Sequence, residues 1–292
     1  MTIDDPLAAQ QALENGQLVP AALRRLQSLS DATSFTSDLS VNEFALLRTS
    51  SLQPICQVAG SAIYKIGYQQ MGFGGSQELN TISSAFNEAR HLAVGRLQQE
   101  ASLAHADAVV GTRVTQGMFD TESRLIEFSL VGTAVKSLDS RLAAIAKHHG
   151  SAILTTLNGQ DLHLLIENGI VPVGLVGASS SYLAMLSPYT FQQMYSMVGA
   201  SMTNFEIREF TEGFYASRRI VMRSIERMAR SLGAGGIIDF QFQSATNSYQ
   251  MPGVSSENVS AVAFTTHVLA TAVSQPKEMT IPTQQKILFV NP

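Results

Sequence analysis

The sequence predicts an α+β fold of two tandem units, each an antiparallel sheet packed on one long helix. Three internal matches carry that expectation. Residues 39–61 (LSVNEFALLRTSSLQPICQVAGS) align without a gap with residues 157–179 (LNGQDLHLLIENGIVPVGLVGAS). The shared positions are mostly apolar, among them Leu46 with Leu164, Pro54 with Pro172 and Val58 with Val176. Residues 88–111 parallel residues 215–239, with Ala106 facing Ala234 and Val109-Val110 facing Ile237-Ile238. Thr133-Ala134-Val135 then matches Thr271-Ala272-Val273. Three matches in one order mark an internal duplication, which decides architecture before any single residue is read.

Residues 1–33 read as a helical N-terminal extension outside both units. Leu7, Ala8 and Leu13 come first, Asn15-Gly16 breaks the pattern, and Pro20 can open a second helix. The first unit, 34–136, begins with a short strand near 34–38, a half-apolar stretch at 44–48 and a strand at 54–67. The loop Gly72-Phe73-Gly74-Gly75-Ser76 leads into a helix over 77–104. Its residues Ile82, Phe86, Ala89, Ala93, Leu97, Ala101 and Ala104 step by three and four, so they share one face, and the alanines let that face lie close to a sheet. Strands at 107–115 and 123–135, joined by a turn around 117–122, close the unit.

Residues 137–150 read as a connecting helix with Leu142, Ile145 and Ala146 on its buried side. His148 and His149 fall in its last turn, where positive charge is favoured, and Gly150 suits the position just past the end. The second unit, 151–275, repeats the pattern. Its helix, 205–232, carries Ile207, Phe210, Phe214, Val221, Ile225, Met228 and Leu232. The second unit is longer near 183–204 and near 244–257, and such insertions belong at loop tips. The C-terminal tail, 276–292, is a Pro-punctuated spacer ending in Ile287-Leu288-Phe289-Val290. An apolar, strand-forming peptide of this kind can add to a sheet edge of its own assembly or of a separate protein partner.

The run Asn87-Glu88-Ala89-Arg90, Arg96-Leu97, Glu100-Ala101 and Ala106-Asp107-Ala108-Val109-Val110-Gly111, closed by Gly132-Thr133-Ala134-Val135, resembles the YbjQ family. That family carries the label "putative heavy-metal-binding domain". The second unit departs from the pattern: Gly235-Gly236-Ile237-Ile238-Asp239 stands where the first has Asp-Ala-Val-Val-Gly. The first unit has Ser51-Leu52-Gln53 in place of the family's Gly-Val-Val. The resemblance implies small α+β units and ring assembly, since single-domain members form pentamers. A five-slot ring cannot be tiled by whole chains that each fill two slots. Five chains forming two stacked pentameric rings would satisfy that symmetry; otherwise the ring has an even number of slots or the assembly is open.

Composition agrees with a self-associating protein. Charged residues make up only 14% of the chain, against roughly 25% in average soluble domains, as expected where other subunits cover much of the surface. The net charge is −4 and there is no Lys/Arg block, so the phosphate-neutralising footprint of a nucleic-acid binder is missing. Arg218, Arg219, Arg223, Arg227 and Arg230 read as the solvated or subunit-facing side of one helix. No apolar run approaches the roughly 20 residues that span a bilayer, and no secretory signal is visible. The single cysteine, Cys56, fits a reducing cytoplasm.

The chemistry-bearing residues do not form a recognisable site. A structural zinc site needs about four Cys or His ligands at suitable spacing. Here His91 and His105 are fourteen apart, His148 and His149 are adjacent, and His163 and His267 stand alone. Cys56 sits in the apolar context PICQVAG and reads as a buried thiol. The Gly72–Ser76 loop could offer backbone N–H groups to an anion, but reads better as a tight turn. Arg90 and Arg218 occupy matching places and suggest a buried or interfacial salt bridge. Met185, Met194, Met197 and Met202 read as helix core. No catalytic, cofactor or metal residue is assigned. The expectation is a non-enzymatic ring-forming assembly protein, with a small-ligand or metal-binding protein whose sites form between subunits as the alternative.

Overall fold

The computed structural model describes residues 6–30, 36–49, 52–69, 75–120, 124–195, 204–249 and 260–274. Gly72–Gly74, Met197, Met202, most of the second insertion and the tail 276–292 lie outside them. The described elements in order are α1 (Pro6–Glu14), α2 (Pro20–Ser30), α3 (Val41–Thr49), β1 (Leu52–Lys65), β2 (Gln77–Glu78), α4 (Asn80–Leu103), β3 (Ala108–Asp120), β4 (Leu125–Ser137) and α5 (Ser140–His149). Then come β5 (Ile153–Leu154), α6 (Gly159–Glu167), β6 (Pro172–Met185), α7 (Pro188–Tyr195), α8 (Arg208–Ser231), β7 (Gly236–Tyr249) and β8 (Ala261–Val273). The fold is α+β.

Two four-stranded sheets organise the chain, in the orders β1-β4-β3-β5 and β2-β6-β8-β7. The long strands pair antiparallel throughout. The expectation of purely antiparallel sheets needs correction, because β5 runs parallel to β3. Register slips recur at like places. One falls at Pro54 in β1 and one at Pro172 in β6, where proline has no N–H for the ladder. The other pair brackets Gly111 in β3 and Asp239 in β7, at φ +63° and +51°. A residue with positive φ makes the bulge that bends a strand.

Three layers of apolar contact hold the chain together. The stripe of α4, with Phe86, Ala89, Ala93, Leu97 and Ala101 all buried, packs on Val58, Ala62, Ile126 and Leu130. On the opposite face of that sheet, Leu47 of α3, Leu142 and Ala146 of α5, and Leu162 and Ile166 of α6 cover Val110 and Val135. Val221, Ile225 and Ala229 of α8 pack on Val176, Ala178, Val268 and Ala270. Met228 is exposed, contrary to the expected stripe. Steps of four from Val221 and Ile225 land on Ala229, and its neighbour turns about 100° away. The connecting helix α5 is capped by the Asp139 carboxylate, which accepts from the Arg141 and Leu142 N–H groups, and it ends on Gly150 at φ +69°.

Several boundaries differ from expectation. Residues 36–40 are coil, not strand: the Asp38 N–H bonds to the Thr133 side chain of β4 and not to strand backbone, and residues 34–35 lie outside the described residues. Residues 44–48 lie in α3. Gln77 and Glu78 form β2, so α4 begins at Asn80, later than the expected start at residue 77. Part of the first insertion folds as α7.

The N-terminal extension is fastened by a half-buried ion pair. Glu100, nearly fully buried in α4, accepts from Arg25 of α2 at 2.6 Å and from the Ala59 N–H at 2.7 Å. Glu100→Ala is expected to lower stability by about 2 kcal/mol, because it leaves a strand N–H unpaired and α2 untied. Urea unfolding measures the loss, and limited proteolysis should show earlier cleavage around α2.

Candidate functional site at the seam between the sheets

The seam is built from segments that cross from one half to the other. Residues 77–79, ahead of α4, reach the outer edge of β6: Gln77 pairs with Leu183 and Glu78 with Tyr182, and the Leu79 N–H donates to Ser181 O at 2.8 Å. The N-terminal half of α4 continues along the same edge. Ser181 N–H donates to Ser83 Oγ, and the Asn87 amide both accepts from the Ser179 N–H and donates to its carbonyl. In return, β5 reaches β3. Ile153 N–H donates to Asp107 O, Thr155 N–H to Val109 O, and Gly111 N–H to Leu157 O. Buried edge groups thus find partners from the other half, as buried backbone must.

Where α4 meets β6 and β8, a polar cluster is enclosed. Arg90 Nη1 donates to Ser179 Oγ at 3.3 Å, Ser179 Oγ lies 2.8 Å from His267 Nδ1, and the Phe86 ring stands edge-on to the imidazole with centroids 4.5 Å apart. Burial, reinforced by the Arg90 charge, pushes His267 down to about 3, and burial pushes Arg90 down to about 10. At neutral pH the arginine is charged and the histidine is not. Ser179 and His267 have the separation of a nucleophile and base. However, the void among them holds no more than about one water molecule, leaving no space for a substrate. The cluster fastens the seam.

Sequence reasoning expected a salt bridge at Arg90 and Arg218. Among the described residues no carboxylate stands within ion-pair distance of Arg90, which donates instead to the Ser179 hydroxyl, and Arg218 is exposed. Arg219, Arg223, Arg227 and Arg230 are exposed as well. His91, His105, His148 and His149 are scattered and exposed, and His163 is half-buried in α6. Cys56 is buried in β1, and burial pushes its thiol up, away from the reactive thiolate. Of the histidines only His267 joins the seam. Its partner Ser179 is 88 residues away, so no spacing rule could pair them.

Among the described residues the two outermost long strands have no strand partner on their outer edges, although Gln57, Ala59 and Ser61 of β1 already bond to Arg25, Thr36, Glu100 and Arg96. β1 ends one sheet and β7 ends the other. Large apolar side chains are exposed near both: Ile63 in β1, and Phe205, Tyr215, Phe240 and Phe242 around α8 and β7. Phe214, Met222, Arg218, Phe240, Phe242 and Val268 line a hollow on that second face.

Comparison with known proteins adds two findings. Residues 65–137 match the family model YbjQ_1, described as "Putative heavy-metal-binding". Among the described residues no group of three or more His, Cys, Asp or Glu stands close enough to hold a metal ion, so those residues of one chain offer no donor set that fits that description. The chain is also 33% identical, over 230 residues, to the encapsulin nanocompartment protein Rv1762c of Mycobacterium tuberculosis (strain ATCC 25618 / H37Rv). That alignment covers 79% of this chain and 85% of the relative.

Proposed function

Because the chain belongs to the family of the Mycobacterium tuberculosis encapsulin nanocompartment protein Rv1762c, we propose that it is a non-enzymatic protein that assembles with copies of itself as a component of a nanocompartment-type particle. The relationship carries this reading. The end strands β1 and β7, the exposed aromatic side chains beside β7 and the low charged content support it. The units 34–136 and 151–275 are tandem YbjQ-like domains in this reading. What supports this is the shared spatial order of the three long strands, first then last then middle, in the two sheets and the recurrence of both register slips.

The tail 276–292 is read as a docking peptide for a sheet edge within the same assembly. A single buried cysteine suits a reducing cytoplasm, where we place the protein. No helix among the described residues is long and apolar enough to cross a membrane. Stacked pentameric rings, one for each unit, would satisfy the symmetry of single-domain relatives. The side-by-side exchange of segments across the seam supports the other tiling, in which both units are neighbours in one ring or string.

Sedimentation velocity on untagged protein at micromolar concentration tests the reading. Species well above a dimer are expected, and a stable monomer or dimer overturns it. Elemental analysis of the same fractions tests the alternative of metal sites formed between subunits, for which stoichiometric metal is required.

A further inference from the structure

We propose that the seam inside the chain is repeated between chains, with the second unit of one copy docking on the first unit of the next in the same strand register. This rests on the self-assembly reading and specifies its interface. The inner seam needs two donor segments and two acceptor edges. Residues 77–79 add to β6, and residues 153–157 add to β3. Among the described residues each has a counterpart without a strand partner on its outer edge. β1 corresponds to β6, and β7 corresponds to β3; both are end strands.

The matching donors are in place. Residues 204–207 precede α8 as 76–79 precede α4, and the residues before the two helices share their backbone geometry: Leu79 at φ −86°, ψ 79° and Ile207 at φ −85°, ψ 92°. Residues 36–39 correspond to 154–157. The Thr156 N–H is anchored on Thr271 Oγ1 of its own sheet, leaving the neighbouring groups of Thr155 free to cross to β3. Likewise the Asp38 N–H is anchored on Thr133 Oγ1 at 3.1 Å. The register follows by transfer. Phe205 pairs with Lys65 of the next copy as Gln77 pairs with Leu183, and Ser37 of that copy reaches Ile237 as Thr155 reaches Val109.

Burial points to the same occupant. β6 is covered on both faces over 176–181, whereas β1 alternates between buried and open positions. Ser61, Ile63 and Lys65 are exposed, while their counterparts Ser179, Ser181 and Leu183 are at most 4% exposed. On the other side, exposed Phe205, Tyr215, Phe240 and Phe242 stand where the inner seam has Gln77, Asn87, Thr112 and Val114. The change from mainly polar to aromatic has a physical reason. The inner seam closes within one chain, at high effective concentration, so polar contacts suffice. The outer seam must also offset the lost freedom of two separate molecules, which buried aromatic area does well. An exposed aromatic patch of this kind marks an interface. Arg113, on the exposed edge of β3, is the counterpart of Gln241, whose amide donates to Thr112 O across the inner seam. In the outer seam its guanidinium meets Phe240 and Phe242, a favourable cation–π setting.

Such a contact is heterologous, so it propagates head to tail until a ring closes or a filament grows. Each chain fills two neighbouring positions, and a closed ring has an even number of them.

Disulfide trapping tests the register. In a Cys56→Ala background, Phe205→Cys combined with Lys65→Cys places thiols at directly paired, exposed positions of adjacent copies, within the Cα range a disulfide tolerates. Mild oxidation is expected to give a ladder of covalent dimers, trimers and higher species that a reductant collapses. Phe205→Cys with Lys136→Cys, off the register, should give none. Multimers by sedimentation without the ladder, or with equal ladders from both pairs, overturn this interface and leave self-assembly standing. A monomer by sedimentation removes both.

Discussion

Replacing Gly60 with valine is expected to lower stability by about 4 kcal/mol and to leave little native protein in mild urea. A side-chain carbon at this position of β1 would sit 2.1 Å from Ala93 O and 2.5 Å from Leu97 N. Both are backbone atoms in the interior of α4, so neither can move without its turn of helix. The helix must lift off the sheet. Ordinary overpacking of a core costs about 1–3 kcal/mol, and this clash involves backbone on both sides. Lifting α4 also strains the seam, because Ser83, Asn87 and Arg90 on the same helix hold β6. Gly95 is the control. It lies in the same helix, and a side-chain carbon there would meet nothing within 4 Å. Gly95→Ala is expected to raise stability by about 0.5–1 kcal/mol through helix propensity alone. Equilibrium urea curves for the two variants should move in opposite directions. A Gly60→Val midpoint close to that of the parent would show that α4 does not lie this near β1.

That close approach was half legible in the sequence. The alanine stripe of α4 announces a face with little bulk, and Ala89, Ala93 and Ala101 are all fully buried. The partner glycine gives no such sign, since Gly60 sits in an ordinary apolar strand and its neighbour in space is 33 residues further on. Long elements were readable because periodicity accumulates over many residues. β2 and β5 are two residues each, too short to carry any period, and they are the pieces that tie the two sheets together. The replacement of Gly111 by Asp239 was visible only as a departure from a pattern. The structure gives it a meaning, because both residues take the left-handed conformation at a bulge and aspartate tolerates it better than most side chains. Residues 36–38 have the sequence of a strand and the conformation of a coil. The propensity is real, but a strand needs backbone partners, and the Asp38 N–H is taken by the Thr133 hydroxyl instead. The polar cluster was invisible for another reason: Arg90, Ser179 and His267 come from three distant elements, and each is unremarkable alone.

Acid is expected to loosen the seam through His267. Its imidazole is held at about 3 in the folded chain, below its ordinary value of 6.5. Burial between α4 and the second sheet is the main cause, and the positive charge of Arg90 adds to it. The unfolded chain therefore takes up a proton between these limits that the folded chain refuses. Stability from this group is fully present above about pH 6.5 and is lost as pH falls toward 3. The steepest loss is about 1.4 kcal/mol per pH unit, and the whole window is worth about 5 kcal/mol at most. His267→Gln removes the titration and keeps a polar group beside Ser179 Oγ. At neutral pH the variant should be less stable than the parent, because its amide also needs partners in a space fitted to a ring. As pH falls to 4 the gap should narrow by about 2 kcal/mol or more, and the two curves can cross. Urea midpoints from pH 7 to pH 4 measure this directly. Parallel curves over that range would mean that His267 takes up its proton without disturbing Arg90, and that water reaches the seam.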